Sequence, residues 1–151
     1  KEMMPDRAPT SEDIAFYQWL DGTGIQLQNI CYSPDDIDLL RDLAVAADLS
    51  LHRSWILFVV GHYTTGKDSD PKGIAPFLDR MKDLKLDLDW AVCAFGKTET
   101  ACLSEAFRLG GKVRTGFENS IFMGDGSVAR NNAEHVAEIA SLDRKMKGTA
   151  G

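Results

Sequence analysis

An arginine and a glutamate mark the segment of this sequence whose residue types are best suited to chemistry. In "KVRTGFENS", residues 112–120, Arg114, Gly116 and Glu118 alternate with residues that can pack in a core. In an extended strand this alternation sends the three to one face, with Arg114 and Glu118 about 13 Å apart and room left by the glycine. An inward glutamate is costly unless it is paired or bound to a cation. A bound metal or the neighbouring arginine would offset that cost, so the row predicts a metal site, with a structural ion pair or a solvated strand end as the alternatives.

Four short apolar runs rich in β-forming residues predict the strands that would position these residues. These strands are predicted near residues 25–32, 55–61, 90–96 and 112–119. Helical patterns rather than hairpin turns lie between them. Ser33 as N-cap before Pro34 predicts the start of one helix, and a pair of glycines predicts the end of "KTETACLSEAFRLGG". We expect another helix before the first strand, within "PTSEDIAFYQWLDGTG", and a last helix from about Ser127 to Lys147.

Alternating helices and strands indicate right-handed βαβ units on a parallel sheet. Two architectures suit this pattern: a small doubly wound sheet, or half of a (β/α)8 TIM barrel, which as a whole needs about 250 residues. Doubly wound strands are buried on both faces, and "WILFVVG" and "WAVCAFG" satisfy that requirement. The mixed faces of "KVRTGFEN" and "IQLQNICY" instead suit the mouth of a barrel. The pattern favours a half-barrel, with residues 1–151 as a single partial barrel domain.

Composition excludes several classes of function. The chain has 151 residues, of which 44% are hydrophobic and 26% are charged, as expected of one soluble globular domain. A net charge of −6 without a basic cluster beyond "DRKMK" argues against nucleic acid. No apolar run reaches the roughly 20 residues that cross a bilayer, and "KEMMPDRAPTSED" lacks the apolar core of a signal peptide, so a cytoplasmic location is predicted. Cys31, Cys93 and Cys102, an odd number without CxxC spacing, are expected to be reduced and structural.

Three motifs follow one another between residues 90 and 136: "W-x-V-C-A-F-G", "G-G-x-V-R-x-G-F-E-N" and "D-G-x-x-A-R-x-N-A-E-x-V". In this order and spacing they resemble the C-terminal region of the β-keto acid cleavage enzymes, the family of 3-keto-5-aminohexanoate cleavage enzyme. The resemblance extends more weakly upstream through "ICYSPDDIDLL" and "LFVVGHYTTG" and so covers nearly the whole chain.

The resemblance implies the C-terminal half of a TIM barrel enzyme with a divalent metal, usually zinc. Such enzymes condense a β-keto acid with acetyl-CoA and cleave the product to acetoacetate and a new acyl-CoA, with zinc acting as a Lewis acid on the keto oxygens. The family arginine falls on Arg114 and the glutamate that binds metal falls on Glu118. The next catalytic position is Asn119, where the best-known members carry an aspartate, and an amide cannot accept a proton as a carboxylate does.

The sequence departs from the family at the histidines that bind metal. Family members carry them as an H-x-H pair, whereas His52, His62 and His135 are far from one another. We expect His52 and His135 on the surface, and His62 at the catalytic rim. Tetrahedral zinc sites use three or four protein ligands, so we expect this sequence alone to lack a complete metal site.

Two further groups are candidates by position. Arg130 and Asn132 follow a glycine-containing loop after the last strand, where barrels often bind phosphate. Arg130 is expected to contact a CoA phosphate, and Asn132 either to contact the cofactor or to fix the loop through a backbone bond. Glu99 follows the third strand, where barrel loops contribute to sites, although partnership with a helix dipole is the favoured interpretation.

The sequence is compatible with three functions. The leading one is an enzyme whose site is completed by an N-terminal half, and the second is a truncated relative that acts as a binding or assembly module without catalysis. An unrelated α/β phosphate binder is the third, which an Arg114 directed away from Glu118 would favour. An open half-barrel exposes two sheet edges, so we expect a homo-oligomer or a partner that supplies the other half.

Overall fold

The computed structural model describes residues 9–49, 51, 54–61 and 68–148. Helices and strands alternate along the chain, which confirms the predicted order of elements. They are α1 (Ser11–Thr23), β1 (Leu27–Cys31), α2 (Asp35–Ala47), β2 (Ser54–Val60), α3 (Ala75–Asp83), β3 (Asp89–Ala94), α4 (Glu99–Arg108), β4 (Lys112–Val113) and α5 (Asn132–Gly148). Short 3-10 turns, Pro71–Ile74 and Gly96–Thr98, precede α3 and α4.

The strands of the described residues form one four-stranded sheet in the order β1-β2-β3-β4. β1 runs parallel to β2, with Leu27 opposite Ser54, and β3 runs parallel to β4, with Ala91 opposite Lys112. A doubly wound sheet requires a reversal of strand order, and this sheet has none. The α/β class with four parallel strands is confirmed, and the order is consistent with part of a barrel. Closure into a barrel stays a prediction.

The chain divides into two compact units, and β2 and β3 contribute residues to both. The first unit comprises residues 1–58 and 76–90. Phe58 is fully buried in it, with its ring stacked 4.7 Å from that of Phe77 and 5.5 Å from that of Trp90. Other buried side chains of this unit are Leu20, Cys31, Ile37, Leu40, Leu43 and Met81.

The start of α2 differs from the predicted serine cap. The side chain of Asp36 accepts the backbone N–H groups of Tyr32 and Ser33 at 2.8 Å each, and the Ser33 hydroxyl donates to the same carboxylate oxygen at 3.2 Å. Ser33 therefore acts as a donor rather than as the accepting N-cap, because the carboxylate is the stronger acceptor. The prediction that the helix begins here is confirmed, whereas the assigned cap is wrong.

The second unit comprises residues 59–75 and 91–151 and contains all the predicted site residues. Ser69 links the ends of two strands within it. Its Oγ donates to the carbonyl of Val60 at 2.6 Å and accepts the backbone N–H of Phe95 at 2.8 Å. Gly61 has φ +94°, and a Cβ there would lie 2.4 Å from the Ser69 Oγ, so the close approach requires glycine. The buried side chains include Ile74, Val92, Cys93, Cys102, Leu103 and Ile139.

β4 is shorter than predicted. It ends at Val113, whereas the apolar run predicted a strand to residue 119. After the N–H of Arg114 donates to the carbonyl of Val92 at 2.9 Å, the chain turns at Gly116, whose φ is +155°. The carbonyl of Gly116 accepts the N–H of Asn119 at 2.8 Å, so this segment satisfies its backbone within a turn and not in a strand ladder.

The last helix begins five residues later than predicted, at Asn132 instead of about Ser127. The preceding residues form a hairpin in which Phe122 and Val128 make an antiparallel bridge. Asp125 accepts the backbone N–H of Ser127 at 2.8 Å, a turn that competes with helix formation. Across the part of the chain described, no helix combines the length and apolarity that a membrane span needs.

Candidate active site

The two charged residues of the predicted row form an ion pair. The Nη2 of Arg114 lies 3.2 Å from the Oε1 of Glu118, and 36% and 71% of these side chains are exposed. The sequence placed them about 13 Å apart along a strand, and that distance is wrong because the turn at Gly116 returns the chain toward Arg114. Exposed ion pairs contribute only about 0–1 kcal/mol. Either group can therefore exchange its partner for a ligand at little cost.

Asn132 holds the segment between the two charges. Its Oδ1 accepts the backbone N–H of Phe117 at 2.9 Å, and a Cβ at Gly116 would lie 3.3 Å from the same oxygen. Asn132 thus makes the backbone bond that was one of its two predicted roles. The absence of a side chain at Gly116 lets the loop lie against the start of α5.

Asn119 is buried beside the end of β3 rather than directed to the Arg114–Glu118 pair. Only 7% of Asn119 is exposed, its Nδ2 donates to the carbonyl of Ala94 at 3.4 Å, and its own carbonyl accepts the N–H of Gly96 at 3.3 Å. The amide supplies a donor that an ionised aspartate would lack. Its observed contacts tie the turn to β3.

Arg130 pairs with Glu134 across one turn at the start of α5. Its Nη2 and Nε lie 2.7 and 2.9 Å from the Oε1 of Glu134, and its backbone N–H donates to the Oε2 at 2.6 Å. These bonds raise the pKa of Arg130 and lower the pKa of Glu134. Because 82% of the arginine side chain is exposed, its guanidinium is reachable from solvent.

A buried hydrogen-bond network, which the sequence did not reveal, includes a residue adjacent in the chain to the Arg114–Glu118 pair. Glu99 and His135 are both 0% exposed, and the Nε2 of His135 lies 2.7 Å from the Oε2 of Glu99. The Thr115 hydroxyl donates to the other oxygen, Oε1, at 2.9 Å. Burial raises the pKa of Glu99, and the hydrogen bonds from Thr115 and His135 oppose that effect. We call Glu99, Thr115 and His135 the buried network.

The prediction that His135 lies on the surface is wrong. A helix from Ser127 was expected, but α5 begins at Asn132, so His135 lies in its first turn and meets Glu99. The helix-dipole interpretation explained why Glu99 stands in the first turn of α4 but not why it is fully buried. A buried carboxylate requires hydrogen-bond partners, and Thr115 and His135 provide them.

The described residues do not fit a complete zinc site. Among them, no group of three or more His, Cys, Asp or Glu side chains is placed to hold a metal ion. Glu118 is paired with Arg114. The cysteines are buried, and burial raises the pKa of Cys31 and of Cys102 to about 12, which disfavours the thiolate that binds metal. His52 and His62 lie outside the described residues.

Comparison with known families gives one finding. A sequence model of the β-keto acid cleavage enzyme family matches residues 5–150. The matched region includes β1 to β4, the Arg114–Glu118 pair and the buried network. The resemblance seen in the three motifs is thereby confirmed over essentially the whole chain.

Proposed function

Because the chain belongs to the β-keto acid cleavage enzyme family, we propose that it forms part of an enzyme that cleaves a β-keto acid with acetyl-CoA. The products would be acetoacetate and a new acyl-CoA. The observation that carries this proposal is the partly exposed Arg114–Glu118 pair directly after β4. Parallel α/β folds bind their substrates at the carboxyl ends of strands, where this pair lies.

Arg114 is proposed to bind the substrate carboxylate. A guanidinium recognises a carboxylate through two parallel hydrogen bonds, and a β-keto acid carries this group beside its reacting carbons. The backbone of Arg114 is fixed by its bond to Val92, while the ion pair between its side chain and Glu118 is partly exposed and therefore weak. Substrate can therefore replace Glu118 without disturbing the strand end.

Glu118, once released, is proposed to supply one ligand of a divalent metal site. The other ligands would come from outside the described residues, since these do not form a metal-holding group. We assign no general-base role to Asn119, because its amide cannot take a proton and its Nδ2 donates to the carbonyl of Ala94. Its proposed role is to position the turn that carries Glu118.

Arg130 is proposed to bind a phosphate of CoA. The side chain is 82% exposed and already makes two bonds to one carboxylate oxygen of Glu134. A phosphate offers the same kind of acceptor with a larger charge. Asn132 holds the loop that contains Gly116 and Phe117. Through that loop, it is proposed to shape the part of the site that binds CoA.

The sheet is proposed to complete a barrel together with another polypeptide segment, either an N-terminal half or a second copy. β1 and β4 are the outer strands in the observed order, and outer strands present backbone groups that can pair with further strands. A strand order without reversal is the order that a barrel segment requires.

A non-catalytic binding or assembly module is the second candidate. Two observations favour it: the described residues lack a metal-holding group, and Asn119 stands where an acidic side chain would be suited to proton transfer. The module would keep the fold and the ability to associate but would release no product.

The two candidates are separated by metal content and product release. The full chain, with any polypeptide that copurifies, is assayed for bound zinc and for acetyl-CoA-dependent acetoacetate from a panel of β-keto acids. We expect Arg114→Lys to lower kcat/KM about 10- to 100-fold, the value of a lost charge-assisted hydrogen bond. Arg108→Lys is the matched control, because Arg108 makes a similar exposed pair with Glu105 on α4. A preparation without zinc and without acetoacetate release from any substrate would exclude the enzyme.

A further inference from the structure

The proposed reaction does not use the buried network. One member of this network, Thr115, directly follows Arg114 in the chain. We infer that Glu99, Thr115 and His135 are positioning residues that fix the direction of the Arg114–Glu118 pair. The inference rests on the proposed function in treating that pair as the substrate-binding group.

The network joins three elements. Glu99 is the first residue of α4, Thr115 lies two residues after β4, and His135 is in the first turn of α5. Both oxygens of the Glu99 carboxylate are occupied, one by the Thr115 hydroxyl at 2.9 Å and one by the His135 Nε2 at 2.7 Å. Any rotation of the side chain would leave a fully buried carboxylate without these partners, so its orientation is strongly fixed.

This constraint acts on both charged residues because each lies one position from an anchored residue. Arg114 immediately precedes Thr115, whose side chain is held by Glu99. Glu118 immediately follows Phe117, whose backbone N–H is held by Asn132. His135, in the first turn of α5, bonds the Glu99 carboxylate that holds Thr115, and Asn132, in the same turn, bonds Phe117. The start of this helix thus restrains the loop on both sides of Gly116.

His135 shows that the network is more than space filling. Its Nδ1 is buried and has no hydrogen-bond partner among the residues that the structure describes. Unsatisfied buried polar atoms are rare because each costs free energy. An apolar side chain could fill this volume without that cost. The histidine therefore owes its place to the bond between its Nε2 and Glu99.

The test observes Arg114 directly. In the isotope-labelled full chain, the Nε–H resonance of Arg114 is assigned by its loss in Arg114→Lys, and its position with the pair broken is measured in Glu118→Gln. Thr115→Val removes the hydroxyl at nearly constant shape, and we expect it to move the Arg114 resonance toward the Glu118→Gln position. Thr115→Ser keeps a hydroxyl and should restore the wild-type position.

A matched control separates positioning from a general loss of a hydrogen bond. Thr23→Val also removes a donating hydroxyl, one that bonds the carbonyl of Leu20 in α1 and is not adjacent in the chain to any member of the network, and should leave the Arg114 resonance in place. A folded Thr115→Val protein with an unchanged Arg114 resonance would overturn the inference. Should Thr115→Val fail to fold, Thr115→Ala adds no atoms and gives the same readout.

Kinetics distinguish failure of this inference from failure of the proposed function. In an active enzyme, Thr115→Val should raise KM for the β-keto acid about 3- to 10-fold with little change in kcat, because a misdirected Arg114 weakens carboxylate binding throughout the reaction. An unchanged KM contradicts the inference alone. If the wild-type protein releases no acetoacetate, the proposed function fails, while the Arg114 resonance still decides the positioning role.

Discussion

Replacing Ser69 by alanine tests how the ends of β2 and β3 are held together. Ser69 is 4% exposed, and its Oγ both donates to the carbonyl of Val60 and accepts the N–H of Phe95. The Ser69→Ala variant deprives two backbone groups of this partner, in a place that water does not reach. Loss of the acceptor for a buried N–H costs about 1–3 kcal/mol, and the carbonyl adds about 1 kcal/mol. We therefore expect the free energy of unfolding to fall by about 2–4 kcal/mol.

Urea unfolding measures this loss. Trp90, whose ring stacks on Phe58 at 5.5 Å, provides a fluorescence signal for loss of the fold. With a urea dependence of about 2 kcal/mol per molar, the unfolding midpoint of Ser69→Ala should lie about 1–2 M below that of the wild type. The slope of the transition should be unchanged, because the substitution removes one oxygen and scarcely alters the surface exposed on unfolding.

Ser141→Ala is the control. Ser141 also donates its hydroxyl to a backbone carbonyl, that of Glu138, but it is partly exposed on α5 and accepts no backbone N–H from the described residues. Its removal should change the free energy of unfolding by less than about 0.5 kcal/mol. If Ser69→Ala is no more destabilising than Ser141→Ala, the hydrogen bonds of the Ser69 hydroxyl do not hold the two strand ends together.

Two further predictions concern the neighbouring strand ends. Burial raises the pKa of Glu99 above its usual 4.5, so the folded state holds the proton of this carboxyl more tightly than the unfolded state does. The stability that this difference contributes is fully present below pH 4.5 and is lost as pH rises through the folded pKa. Glu99→Gln should flatten the decline of Tm over that range, and an identical pH profile in the two proteins would contradict the assignment. Gly96→Ala should destabilise the chain by more than about 1 kcal/mol, because φ is +79° and the new Cβ would lie 2.3 Å from the Asp68 Oδ1. Gly22→Ala lies in α1, where no described atom beyond its chain neighbours and its own helix backbone comes within 4 Å of the new Cβ. It should instead stabilise the chain by about 0.5–1 kcal/mol in urea titration, and a reversed order of the two variants would refute the reasoning.

The order of elements was predictable because local residue patterns determine it. The run "WILFVVG" is apolar on both faces and forms β2, and the predicted glycine pair ends α4, where Gly110 adopts φ +87°. The limits of β4 and α5 were not predictable in this way. Gly116 is compatible with both a strand and a turn, and the choice depends on contacts with Asn132, which lies 16 residues later. The turn at Asp125 similarly displaced the start of α5.

The charged residues of the site were predictable, but their support was not. Alternation along a strand predicted that Arg114 and Glu118 share a face, whereas their observed contact follows from the turn at Gly116. Glu99 and His135, in contrast, are 36 residues apart and belong to different helices. Each looked like an ordinary surface or first-turn residue because no local pattern records which elements meet.

The buried network also bears on the choice between an enzyme and an assembly module. Buried ionisable groups are weak contributors to stability, and apolar side chains of similar volume often replace them without loss. A module that only associates would have no use for a buried carboxylate and a histidine whose Nδ1 lacks a hydrogen-bond partner in the described part of the chain. Here these groups hold the residue next to Arg114, on the side of the molecule where the carboxyl end of β4 lies. Precise direction of one arginine is needed for recognition of a carboxylate, so the network favours the proposed enzyme over the assembly module.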